Sequence, residues 1–185
     1  MIWNNRFFSN FTLSKLQTNN TMNFGEAIKS VFSNYANFKG RARRSEYWYF
    51  VLFNILVSLV LSGLTLISPK LSILNSIYSL VVFIPGLAVA VRRLHDIGKS
   101  GWTYLIVLIP AIVLVILSAF VVVATRGTYS SDPNIGLIAV FFIALIATLI
   151  CSIVFIVWMC RDSEPGTNNW GPNPKEQTPD NTYQY

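Results

Sequence analysis

Four stretches of this chain, each about twenty residues long and free of charged side chains, leave it few ways to fold: 47–67, 71–91, 102–124 and 135–159. At about 1.5 Å of rise per residue, each is long enough as a helix to cross a hydrocarbon layer roughly 30 Å thick. Only 12% of the residues are charged and 53% are hydrophobic, whereas a soluble domain carries roughly 25% charge. The sequence therefore predicts an all-α fold, an integral membrane four-helix bundle. An N-terminal amphipathic interfacial helix and a disordered C-terminal tail are expected to flank it.

The polar residues gather between the spans. The richest cluster, Arg92, Arg93, His95, Asp96 and Lys99, separates the second span from the third. Arg, Lys or Asp at a helix centre costs roughly 2.5–3.5 kcal/mol, so 92–101 is expected to be a hairpin tip at the membrane surface. Gly98 suits the left-handed conformation that ends one helix, and Ser100 can cap the start of the next.

Residues 1–21 lack the apolar core and cleavage pattern of a secretory signal and are expected to be a disordered extension. Met22 stands immediately before a helix start, so translation is expected to be able to begin at either Met1 or Met22. The acceptor-like Asn10-Phe11-Thr12 would be silent on the cytoplasmic side. Over 23–38, Phe24, Ile28, Val31, Phe32 and Tyr35 recur at helical spacing, and Asn23 with Glu26 forms a capping pair. Such a helix either lies in the headgroup boundary or docks on the protein's own spans.

The run Lys39-Gly40-Arg41-Ala42-Arg43-Arg44-Ser45-Glu46 passes straight into Tyr47 and Trp48, the order of cations and interfacial aromatics found at a membrane border. Trp102 is a third such anchor. Ser68-Pro69-Lys70 should turn the chain. In the second span Ser72, Asn75, Ser76 and Ser79 share one face, which reads as helix packing or as the wall of a polar path. Pro85 removes one backbone bond and frees the Val81 carbonyl, predicting a kink or break. With Pro110 in the third span, it could splay the helices and open a pocket above the basic loop.

Residues 125–134 read as an exposed loop. Ala144, Ala147, Thr148, Cys151 and Ser152 form a small-residue face for close packing. Cys151 and Cys160 point to different sides of one helix and read as packing residues. The tail, 164–185, is rich in Pro, Gly and Asn and reads as turns and disorder.

For four spans, twelve Lys and Arg fall on one side and only Lys70 and Arg126 on the other. The positive-inside rule then places both termini and the 92–101 loop in the cytoplasm. The domain plan is an extension over 1–21, a membrane domain over 22–163 and a cytoplasmic tail.

Three segments, Phe38 to Trp48, Arg92 to Trp102 and Gly166 to Pro174, resemble the signatures of the domain of unknown function 805 family, the YhaH-like bacterial inner-membrane proteins. Trp170 stands where that family is expected to have tyrosine, and residues 1–21 have no counterpart. The resemblance implies a four-helix inner-membrane protein and brings no activity with it.

From the residues themselves, the favoured expectation is a non-enzymatic protein. Its basic face, Arg41, Arg43, Arg44, Glu46, Arg92, Arg93, His95, Asp96 and Lys99, would bind anionic lipid headgroups or an acidic protein partner, with Glu46 and Asp96 as internal counter-ions. One alternative is an enzyme on a phosphate-bearing lipid, with His95 and Asp96 as acid and base. Another is a small transporter or channel component using the polar stripe. A single His predicts no metal site, and no cofactor or nucleic acid is expected. A homo-oligomer is compatible with all three readings.

Overall fold

The computed structural model describes residues 22–127 and 135–175. The extension over 1–21, the loop over 128–134 and the tail beyond 175 lie outside the described residues, and so do the expectations that fall on them. Helix α1 spans Phe24–Ser33, α2 Arg44–Ile67, α3 Ser72–Asp96, α4 Leu105–Gly127 and α5 Ile135–Cys160. Short 3-10 turns, Pro69–Leu71 and Gly101–Tyr104, precede α3 and α4. Four helical stretches, including these turns, are long and apolar enough to cross a membrane, and the fold is all-α among the described residues.

The helices pair as two hairpins, α2 with α3 and α4 with α5. Between hairpins, contact falls near one end, where Ala90 and Leu94 of α3 meet Phe155 and Met159 of α5. Elsewhere the spans present Leu, Ile, Val and Phe outward, as expected where lipid is the solvent.

Helix α1 takes the docked alternative. The Asn23 side chain accepts from the Glu26 N–H at 2.9 Å and the Glu26 carboxylate accepts from Asn23 N–H at 3.0 Å, a complete capping box. Its apolar face then packs on α2: Val31 joins Ala42, Phe50 and Val89 in one core cluster, and Phe32 meets Phe50 edge-on at 5.8 Å.

Helix α3 runs on through Pro85 without the expected break. The Val81 carbonyl that Pro85 leaves free is taken by the Tyr35 hydroxyl at 2.5 Å, so the docked amphipathic segment supplies the missing donor. In the polar stripe of α3, Ser72, Ser76 and Ser79 are exposed and Asn75 is half-buried, and the hydroxyls of Ser76 and Ser79 bond to carbonyls of their own helix. On α5, Thr148 of the small-residue face bonds its own Ala144 carbonyl and reaches the Pro110 carbonyl of α4 at 3.3 Å.

Candidate functional site

The start of the 92–101 segment departs from the expected surface hairpin tip, because it is helical and enclosed by protein. Helix α3 does not stop at Val91 but continues to Asp96. Arg92, Arg93, His95 and Asp96 are all buried. At 25 residues the helix is roughly 37 Å long, so its last turn can stand outside the hydrocarbon and still be enclosed by protein. Gly98 ends it at φ +74°, and Ser100 accepts from the Trp102 N–H, as the sequence suggests.

Asp96 is the centre of this enclosure, with 0% exposure. One carboxylate oxygen accepts from Arg41 Nε at 3.0 Å. The other accepts from Arg93 Nη1 and from the Ser163 hydroxyl at 2.6 Å. The remaining guanidinium donors go to backbone carbonyls. Arg41 reaches Gly166 at 2.8 Å, Glu164 at 2.5 Å and Gly171 at 3.3 Å, and Arg93 reaches Met159 at 3.2 Å and Arg161. A planar five-donor fork suits this use, because each N–H meets a fixed acceptor without further charge.

A second buried pair lies beside α1. Arg92 Nη1 meets Glu46 Oε1 at 3.0 Å, the same oxygen accepts from the Ser30 hydroxyl at 3.1 Å, and the Arg92 carbonyl accepts from Ala42 N–H at 3.1 Å. Nε and Nη2 of Arg92 have no hydrogen-bond partner among the described residues. Arg43 donates to the Pro174 carbonyl. Arg44, half-buried, bridges to Asp162 at 2.6 Å. Lys99 sits over the Trp158 ring at 4.3 Å.

The tail is the second correction: residues 164–175 are not disordered but strapped across this cluster. Trp170 stacks on His95 with centroids 4.7 Å apart and planes 9° from parallel. Asn168 donates to the His95 carbonyl at 2.9 Å, and the Glu164 N–H donates to the Asp96 carbonyl at 2.9 Å. Asn168 and Asn173 each accept a backbone N–H two residues on, the Asx turns that fix the strap's path. Gly98 is where the strap passes closest: a Cβ there would stand 2.8 Å from a Glu164 carboxylate oxygen.

Of the three expected aromatic anchors, Trp102 is 80% exposed. Tyr47 and Trp48 instead turn inward against the cluster of Ala90, Leu94, Phe155 and Met159. Sequence reasoning missed Ser30, Ser163 and Asn168. Serine and asparagine in turn-rich segments carry no signal of a distant partner.

Chemically the arrangement is closed. Both Asp96 oxygens are engaged by arginines, and His95 Nδ1 lies 3.2 Å from Gly40 O with its ring stacked on Trp170. No group of three His, Cys, Asp or Glu residues converges among the described residues.

What these observations define is a small multi-pass membrane protein whose spans are tied at one end by a buried ionic knot built from three separate sequence segments. The chain belongs to the family described as protein of unknown function (DUF805), whose model matches residues 35–172. It is 43% identical over 111 residues to the inner membrane protein YhaI of Escherichia coli strain K12, covering 58% of this chain and 94% of that one. It is 34% identical over 150 residues to the inner membrane protein YhaH of the same strain, covering 78% of this chain and 93% of that one. No solved structure matches.

Proposed function

We propose that this chain is a non-enzymatic inner-membrane protein, with both termini cytoplasmic, whose basic end engages anionic headgroups. The cations that do so are those left over from the knot. Between 22 and 175 the knotted end holds ten Lys and Arg against five Asp and Glu, an excess of five positive charges that internal pairing leaves unneutralised. The observation that carries the reading is that Lys29, Lys39 and Arg161 are exposed and have no acidic partner among the described residues. A cation near an anionic surface contributes about 1 kcal/mol, so three act as a collective attraction without shaped recognition.

This reading divides the motif residues by role. Arg41, Arg92, Arg93, Glu46 and Asp96 hold the end of the molecule together, and the lipid contact falls to the rim. The test uses the full chain in nanodiscs of mixed phosphatidylglycerol and phosphatidylcholine, with the lipid that stays bound after extraction read by native mass spectrometry. Lys39→Glu with Arg161→Glu should lower phosphatidylglycerol enrichment several-fold and flatten its dependence on salt. Unchanged enrichment in the folded variant would reject the proposal.

A further inference from the structure

Where the two hairpins meet near the knot, a cleft of about 570 Å³ opens above it, walled mainly by α2 and α3, with Tyr104 and Phe155 contributing from the other hairpin. That volume lies within the roughly 300–1,000 Å³ of small-molecule sites. Three features indicate what fits it.

Tyr47 and Tyr104 both line the cleft, and neither hydroxyl has a hydrogen-bond partner among the described residues. Both rings pack against the same core cluster, so the phenols are held in place. A phenol so placed normally finds an acceptor. Further along the same wall are Ser58 and Ser62, roughly 16 and 22 Å beyond Tyr47 along the helix axis. These small side chains leave the groove open where leucine would fill it. In the other direction, Arg44 lies one turn before Tyr47 on the same helix face and keeps 39% of its side chain exposed.

Along α2, starting from the knotted end, the order is cation, then the phenols, then the apolar groove. A phospholipid presents the complementary order: phosphate, ester carbonyl, acyl chain. A second copy of this chain fits less well, since copies in one membrane share an orientation and would bring basic end against basic end.

We propose that the cleft is a lipid site. One acyl chain of a bilayer phospholipid lies between the hairpins, its ester carbonyl accepts hydrogen bonds from Tyr47 and Tyr104, and its phosphate faces Arg44. The inference goes beyond the headgroup reading above, whose cations are Lys29, Lys39 and Arg161: it adds Arg44, which the phosphate would share with Asp162 and the Cys160 carbonyl.

The test reconstitutes the full chain in vesicles containing phosphatidylglycerol with a diazirine midway along one acyl chain, and maps the adducts after irradiation. Adducts on Val51, Leu87 and Ala90, which line the cleft, should exceed those on Ile153 and Val157, which are exposed on α5, by several-fold. Ser58→Leu with Ser62→Leu should bring them down to the α5 level. Tyr47→Phe with Tyr104→Phe preserves the shape and should reduce the lipid retained in native mass spectra several-fold. Even labelling over all exposed positions, labelling untouched by the filling variant, or crosslinks from the cleft to a second copy would each overturn the proposal. The same experiment with phosphatidylcholine separates the two readings. Cleft labelling that persists without any preference for phosphatidylglycerol defeats the headgroup reading alone, and even labelling with that preference intact defeats this one alone.

Discussion

Replacing Asp96 by Asn tests whether the knot, and not the membrane spans by themselves, fixes the molecule's basic end. Asn keeps the volume and one acceptor but removes the charge that compensates Arg41 and Arg93, whose side chains are 1% and 0% exposed. Breaking a buried pair by removing one partner costs about 3–5 kcal/mol, because a buried charge is left uncompensated. Here one carboxylate serves two cations and the Ser163 hydroxyl, which argues for the upper part of that range. At about 1.4 kcal/mol per factor of ten, the unfolding equilibrium should shift by roughly a hundred- to several-thousand-fold. Reversible unfolding in mixed micelles followed by circular dichroism reads the loss. Limited proteolysis of 164–175 reads the release of the strap. Adding Arg41→Met to Asp96→Asn should recover part of the loss, because it removes one of the stranded cations. A loss under about 1 kcal/mol, comparable to that expected for the surface pair of Arg44, would refute the assignment of Asp96 as the centre.

Other outcomes follow from single contacts. Tyr35→Phe should cost about 1 kcal/mol in the same assay, and much less in a Pro85→Ala background, where the backbone N–H restored at that position satisfies the Val81 carbonyl; equal costs in both backgrounds would refute the pairing. Gly98→Ala should destabilise by about 1–2 kcal/mol, since φ +74° disfavours any Cβ and Glu164 crowds it. Trp170→Ala should leave the far-ultraviolet circular dichroism unchanged and speed cleavage of the strap, with aromatic stacking alone contributing about 0.5–1.5 kcal/mol. Reporter fusions at the C-terminus and cysteine accessibility at Lys39 should both report the cytoplasm; opposite sides would refute the orientation.

The spans were legible because uncharged runs of this length have few other destinations. Their ends were not. Hydropathy changes at Arg92, yet α3 continues to Asp96, since leaving the hydrocarbon does not by itself end a helix. Glu46 and Asp96 were readable as counter-ions, being the acids within their basic segments. The inward turn of those segments was hidden because most partners of Arg41 and Arg93 are carbonyls of residues 159–171, and a backbone acceptor has no side-chain signature. For the same reason the strap looked disordered: Pro, Gly and Asn describe a free tail and an Asx-turned loop equally well. The docking of α1 was one of two readings left open by its aromatic stripe. Deciding between them takes the Tyr35–Val81 bond, which joins positions with no sequence relationship.

The strap has a consequence for how the protein is made. Arg41 emerges from the ribosome more than a hundred residues before Gly166 and Gly171, whose carbonyls receive its guanidinium. At roughly 5–20 residues per second, that is an interval of several seconds or more in which all four spans can insert while the arginines of the first segment wait. Final closure is therefore a late, post-insertion event. A chain cut short before Gly166 would lack the two carbonyls that receive Nη1 of Arg41, and with them the segment that covers His95.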